Sequence, residues 1–413
     1  MKIAVWHNLL SGGAKRALYY QVRGLSRRGH QLSCWSLDNA DHSYLPLSEF
    51  ANERIVASGS NHNQRKRIRD RWAYSHNEAL RKMQAFDEAC RQCAIEIESG
   101  DFDLLFANSA LDYNVPYILR HSRLKKLLYL QEPCRYFYEA RPLLPWVSGT
   151  PDDLHSRLFA PRRLMANYAN METLRIRAKQ EWLSAHACDS LLVNSYFSRE
   201  SIFRSYGVDS KVCYLGIDTH LFQNLGLERE RLLVGLGSFH QIKGIDLAVK
   251  AVSLLEKPRP PLVWIANSGN ESYEAEIRGL AQSLDVDLRI KFRVSDAELV
   301  TILNKATLLL YTSRLEPFGF APLEANACGL PVVGIAEGGI RETVKDGING
   351  LLVDPDPESI SSAVRRLLDD DGLTRRMGEQ AVLHVQRHWN LEDSIDRLER
   401  LMLSLTQNSN GMN

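Results

Sequence analysis

Short apolar runs alternate with helical stretches through this chain, and after about 215 residues the alternation starts again. Parallel strands need a long crossover, usually a helix, so such alternation predicts a parallel sheet covered by helices. Two rounds predict an α/β protein of two doubly wound, Rossmann-like domains. The first round begins with a buried strand at Ile3–Trp6, a glycine-containing turn, a helix over 14–28 closed at Gly29, and a strand at 31–37. Residues 60–100 read as an insertion of long charged helices that holds the basic run RKRIRDR. Further strands are expected at 103–108, 126–131 and 190–194. In the second round they fall at 232–236, 262–266, 288–292, 307–311 and 331–335, with helices at 244–256, 272–284, 296–305 and 319–328. The expected organisation is a first domain over 1–215 and a second over 216–390. A terminal helix over 391–413 then crosses back to the first.

Charge divides the same way. Residues 1–215 carry about 30 Lys and Arg against about 22 Asp and Glu, leaving about 21 against 28 for the remainder. A basic first half suits an anionic partner such as a lipid phosphate or a membrane surface. Two solvated domains of unlike composition account for it equally. No stretch reaches the roughly 18 apolar residues of a spanning helix, and the opening apolar run breaks at Ser11-Gly12-Gly13. The expected location is cytoplasmic, at most peripheral at the inner face of a membrane. Seven cysteines without a framework fit reduced thiols. Cys90-x-x-Cys93 lies in a helical run without a second ligand pair, and Asp101-Phe-Asp103 sits at a strand entry where Asp is ordinary turn chemistry, so no metal site is expected. P-loop and hydrolase motifs are lacking, and basic residues are not interleaved with aromatics as in a nucleic-acid surface.

The densest chemistry lies in SRLEPFGFAPLEANACGLPVVG, residues 313–334. Glu316 and Glu324 are eight apart, with a Pro-x-Gly turn between them and a helix opening near Gly319. The free N–H groups of a helix start receive anionic or polar oxygens. Glu324 lies about 8 Å further along the helix at 1.5 Å per residue, and two acceptor-only carboxylates suit a polyhydroxyl ligand. A capping Glu followed by a surface helix Glu is the bland alternative, and spacing alone leaves both open.

This segment, with Gly338-Gly339 after it, strongly resembles family 4 of the retaining glycosyltransferases. Ser11-Gly12-Gly13-Ala14 followed by LSRRGHQL resembles that family's opening, and residues 191–222 resemble its segment before the interdomain linker. The resemblance covers nearly the whole chain. It implies a GT-B fold, with the two domains facing across a cleft, and a donor site independent of Asp-x-Asp and of metal. The implied reaction is retaining transfer of a hexose from a nucleotide sugar to a hydroxyl acceptor. UDP-sugar is favoured as donor, with GDP-sugar the alternative, and the acceptor is expected to be a lipid-linked or polysaccharide precursor. No cofactor is implied beyond the nucleotide-sugar co-substrate.

By position, Glu316 would hold the donor sugar and Glu324 the ribose. Phe318, Gly319 and Phe320 would offer backbone to sugar and phosphates, and Lys243 in FHQIKGID would neutralise the diphosphate. Gly12 and Gly13 would admit close approach of the phosphates, and Arg293 and Val294 would meet the base. Two positions depart from the family. Ser238 stands where it has an arginine, and Gln131 stands where it has a histidine near the reacting centre; Gln bonds a hydroxyl but takes no proton. Arg135 matches a retained arginine on the acceptor side. The two departures together motivate the competing expectation, a non-catalytic nucleotide-sugar-binding module of the same fold.

Overall fold

The computed structural model describes residues 1–59, 71–111, 113–138 and 161–407. The basic run at 65–71 falls almost entirely outside them. The chain divides into two compact units. One comprises Met1–Val193, Arg199–Val212 and Glu399–Asn413, and the other Asn194–Ser198 and Cys213–Leu398.

The first unit is built on seven strands: β1 (Lys2–Asn8), β2 (Gln31–Leu37), β3 (Asn52–Val56), β4 (Leu104–Ala110), β5 (Lys126–Tyr129), β6 (Ser190–Val193) and β7 (Lys211–Val212). Their order is β3-β2-β1-β4-β5-β6-β7, parallel throughout. The second unit has β8 (Leu233–Leu236), β9 (Leu262–Ala266), β10 (Leu288–Phe292), β11 (Leu308–Tyr311), β12 (Val332–Ile335) and β13 (Gly350–Val353). These run β10-β9-β8-β11-β12-β13, again parallel. Both sheets have the Rossmann strand order, and both reverse direction once, at β1/β4 and at β8/β11. In such sheets ligands bind in the crevice outside the carboxyl ends of the strands at that reversal.

The central strands are apolar because both faces are covered. Every residue of Leu308–Tyr311 and of Leu262–Ala266 is buried, so neither shows the alternation of a half-exposed strand. Cys90 and Cys93 pack in the apolar core beneath Trp6 and Phe86, and burial pushes the Cys93 thiol up to about 12. That is thiol chemistry of a packing residue. Asp101 and Asp103 are also structural: Asp101 pairs with Lys2 Nζ at 2.9 Å and Asp103 accepts the Lys2 N–H at 2.7 Å. They lie at the amino ends of the strands, away from the reversal. Asp370 caps the next helix by accepting the Leu373 N–H at 2.8 Å.

Helix starts differ with their position. Ser295, Asn270 and Asp356 each cap a helix of the second unit through a side-chain oxygen. The helices that follow β1, β8 and β11 begin instead at Gly12, Gly244 and Gly319, none with a side-chain cap.

The terminal helix Leu391–Gln407 ends in the first unit, where Glu399 accepts from Arg28 at 2.9 Å and pairs with His30 at 2.7 Å. The His30 hydrogen bond, foremost, and Arg28 hold the Glu399 carboxyl below its usual range, against partial burial. A carboxyl depressed in the folded state contributes stability above its unfolded pKa, and that contribution is lost as pH falls through the folded value. Glu399→Gln is therefore expected to lower the melting temperature at pH 7. The deficit against wild type should shrink as the pH drops below the carboxylate range. A deficit independent of pH would remove the charge argument. Among the described residues, no helix is long and apolar enough to cross a membrane.

Candidate active site

The reversal at β8/β11 is where the chemistry of the second unit gathers. The chain leaves β8 through Gly237 and Ser238 and makes one turn of 3-10 helix at Gln241–Lys243 before entering helix Ile245–Ser253. It leaves β11 through Thr312 to Pro317 and enters helix Phe320–Ala327. The two loops are stitched together: Thr312 Oγ1 donates to the Lys243 carbonyl at 2.8 Å, and the Arg314 N–H to the Ile242 carbonyl at 3.1 Å. The Lys243 stem passes over Gly237, with its Cδ 3.4 Å from where a Cβ would stand. Trp264 Nε1 donates to the Gly237 carbonyl at 3.0 Å and fixes that turn.

At the centre Lys243 Nζ donates to Glu316 Oε2 at 2.7 Å, and Ser313 Oγ donates to the same oxygen at 2.8 Å. Each charged side chain is about one-fifth exposed, so the pair faces solvent from a half-buried position. Glu324 is 5% exposed, which rejects the reading of it as a surface helix residue. The helix opens only at Phe320, so roughly 6 Å of axial rise precedes Glu324, less than the about 8 Å expected along the helix. Gly319 takes φ 97°, a left-handed conformation that glycine adopts without strain, and turns the chain into the helix. Phe318 is buried against Phe320 and Trp389.

Ser238 is half-buried and His240 exposed. The added cation that sequence reasoning overlooked is Arg314, engaged bidentately by Glu337 with both contacts at 2.8 Å. Arg293 and Val294 follow β10, two strands from β8. Arg293 adopts φ 55° and its N–H donates to the Ala266 carbonyl at 2.9 Å.

Gly12, Gly13, Gln131 and Arg135 belong to the first unit. Gly12 precedes helix Gly13–Arg27, and Gln131 is half-buried two residues past β5. Arg135 is buried and ion-paired with Glu132. The segment before it is anchored from below, since the Cys134 N–H donates to Tyr206 Oη at 3.4 Å and Tyr206 donates to Glu181 at 2.9 Å. Burial raises the Glu181 carboxyl, opposed chiefly by Arg177. Lys15, in the first turn after Gly13, is fully buried, its Nζ makes no hydrogen bond among the described residues, and burial lowers its pKa. Neither Glu181 nor Lys15 was foreseeable, because burial of a charge leaves no mark in local sequence.

Residues 217–384 match the family described as glycosyl transferases group 1. That likeness lies within the second unit. Over 229 residues it is 33% identical to a D-inositol 3-phosphate glycosyltransferase of Acidothermus cellulolyticus, covering 49% of this chain and 51% of that protein. Over 259 residues it is 25% identical to the human alpha-1,3/1,6-mannosyltransferase ALG2, covering 55% and 62%. The chain thus spans about half to three-fifths of these relatives' length. Among solved structures, sucrose-phosphate synthase from Thermosynechococcus elongatus superposes with a TM-score of 0.75 at 18% identity, over 99% of this chain and 100% of that one. Anabaena HepE in complex with UDP-glucose gives 0.69 at 17% identity, over 98% and 100%. These likenesses establish the fold: two Rossmann-like domains of the GT-B type.

Proposed function

We propose that the chain is a retaining, metal-independent glycosyltransferase. It moves a hexose from a nucleotide sugar, UDP-sugar in preference to GDP-sugar, to a hydroxyl acceptor carried on a lipid-linked or polysaccharide precursor. The observation that carries this reading is the Lys243–Glu316 pair at the β8/β11 reversal, beside a helix start that no side chain caps. Leaving of a nucleoside diphosphate builds negative charge, and a fixed ammonium with preorganised N–H groups is what such charge requires. A half-buried carboxylate already receiving two donors is suited to exchange them for sugar hydroxyls. Glu324, on the first turns of the same helix, is assigned to the ribose. The preference for UDP draws on HepE, whose structure was solved with UDP-glucose. The acceptor draws on the basic first half and on Arg135. Gln131 takes no proton at neutral pH, so the proton of the acceptor hydroxyl is assigned to a donor phosphate oxygen, on the face the sugar keeps.

The test is a thermal-shift titration with UDP, GDP and ADP and their glucose, mannose and N-acetylglucosamine conjugates, on wild type and Glu324→Ala. A ligand at one hundred times its Kd stabilises by about 2.7 kcal/mol, a rise of several degrees. The expected result is a rise selective for one base, UDP before GDP, that the variant loses. Release of nucleoside diphosphate only when an acceptor is supplied then separates a transferase from a binding module. No shift with any nucleotide sinks the donor site.

A further inference from the structure

Three successive carbonyls of the loop before helix Phe320–Ala327 are held from outside it. The Glu316 carbonyl accepts the Gly339 N–H at 2.7 Å, the Pro317 carbonyl accepts Ser195 Oγ at 2.6 Å, and the Phe318 carbonyl accepts Thr343 Oγ1 at 3.5 Å. In a trans peptide the C=O and the following N–H point in opposite directions. A carbonyl held on one side therefore aims the next N–H to the other. The Pro317 carbonyl aims the Phe318 N–H, and the Phe318 carbonyl aims the Gly319 N–H. Among the described residues, neither N–H finds an acceptor within the chain.

Ser195 is the strongest of these anchors and comes from the most distant sequence. It lies in Asn194–Ser198, a short stretch that follows β6 yet groups with the second unit. It is fully buried, its oxygen accepts the Ser198 N–H at 2.9 Å, and of the acceptors within reach of its proton the Pro317 carbonyl at 2.6 Å is nearer than Ser198 Oγ at 3.0 Å and Asn194 Oδ1 at 3.4 Å. Ser198 Oγ in turn donates to Asn194 Oδ1 at 2.7 Å. The stretch is pinned by Glu342, three residues past the Gly338-Gly339 pair. Glu342 accepts the N–H groups of Tyr196 and Phe197, both at 3.0 Å, and the Tyr214 hydroxyl at 2.8 Å.

We propose that Ser195 is a positioning residue of the donor site, aiming the Phe318 N–H at an anionic oxygen of the nucleotide sugar, with Glu342 holding Ser195 in place. This rests on the function proposed above and adds to it a residue outside the family segment at 217–384. Without the hydroxyl the Pro317–Phe318 peptide plane loses its anchor and the N–H no longer arrives preorganised. Hydrogen bonds to charged groups contribute about 1.5–3 kcal/mol. The expected weakening of UDP binding is roughly tenfold or more.

The experiment compares wild type, Ser195→Ala and Ser195→Thr, the last restoring a hydroxyl. Each is labelled with 15N-phenylalanine to follow the Phe318 amide in the free protein, and each is titrated calorimetrically with UDP and with GDP. The proposal expects the Phe318 resonance to move in S195A and return in S195T. Affinity for the nucleotide that wild type binds should fall and recover in the same order, while the ligand-free melting temperatures of S195T and wild type agree. A Phe318 resonance unmoved in S195A overturns the proposal, as does an S195A affinity equal to wild type. If wild type binds neither nucleotide, the donor-site reading fails and so does the ligand role of Ser195, while the Phe318 resonance still decides whether Ser195 sets that peptide plane.

Discussion

Lys243→Met is expected to lower sugar transfer by about a hundredfold to a thousandfold, the range seen when one preorganised electrostatic contact to developing charge is removed. Methionine keeps an unbranched stem over Gly237, where the Lys243 carbons lie 3.4–3.6 Å from the Cβ position, so the change removes charge with little loss of packing. Stability is expected to move far less than activity. The pair with Glu316 is about one-fifth exposed on each side, and ion pairs near a surface contribute about 1 kcal/mol or less. Both kcat and nucleotide affinity should fall, because in the proposed function the ammonium meets the diphosphate before and during departure. The double variant Lys243→Met, Glu316→Gln should be non-additive, since the two side chains touch at 2.7 Å. Steady-state kinetics with a melting curve for each variant check all of this. Transfer within threefold of wild type would assign the phosphate charge to another cation, with Arg314 the nearest in sequence to Glu316.

The same pair shows what was legible beforehand. Apolar strands buried on both faces announce themselves as continuous runs, and the central strands of both sheets lie within two residues of their expected bounds at each end. Both margin strands of the first sheet were missed for a physical reason, whereas Leu288–Phe292 at one margin of the second was expected at its observed bounds and Gly350–Val353 at the other was not expected. Asn52–Val56 is mostly exposed, with Glu53 and Arg54 on it, and Lys211–Val212 is two residues long, so neither has an apolar signature. Glu316 and Lys243 were visible because the loop chemistry is local and resembles a known family. Ser195 and Glu342 were not, since their partners lie 122 and 146 residues away in sequence and a serine has no distinctive spacing. Conversely, Cys90-x-x-Cys93 and Asp101-Phe-Asp103 have the spacing of sites, yet one pair is core and the other is tied to Lys2.

Gly339→Ala is expected to be among the most damaging single-methyl additions in the second unit. An alanine Cβ there would stand 2.0 Å from the Pro317 carbonyl oxygen and 2.6 Å from its carbon. The obstacle is backbone, which cannot swing aside as the end of a side chain can. The backbone angles of Gly339 are ordinary, φ −74° and ψ −13°, so the penalty is steric alone. Relief requires the 316–318 loop to retreat from Gly339, which breaks the 2.7 Å hydrogen bond to the Glu316 carbonyl and drags Glu316 away from Lys243. Overpacking of this kind costs about 1–3 kcal/mol and sometimes more. The expected result is a melting temperature lower by several degrees together with loss of the nucleotide-induced rise. Gly347→Ala is the control: φ there is 75° with nothing within 4 Å, so it carries conformational strain of about 1–2 kcal/mol and no collision. It should lower the melting temperature while leaving the nucleotide response intact. If both variants respond to nucleotide alike, the close packing of Gly339 on Pro317 is not what shapes the donor loop.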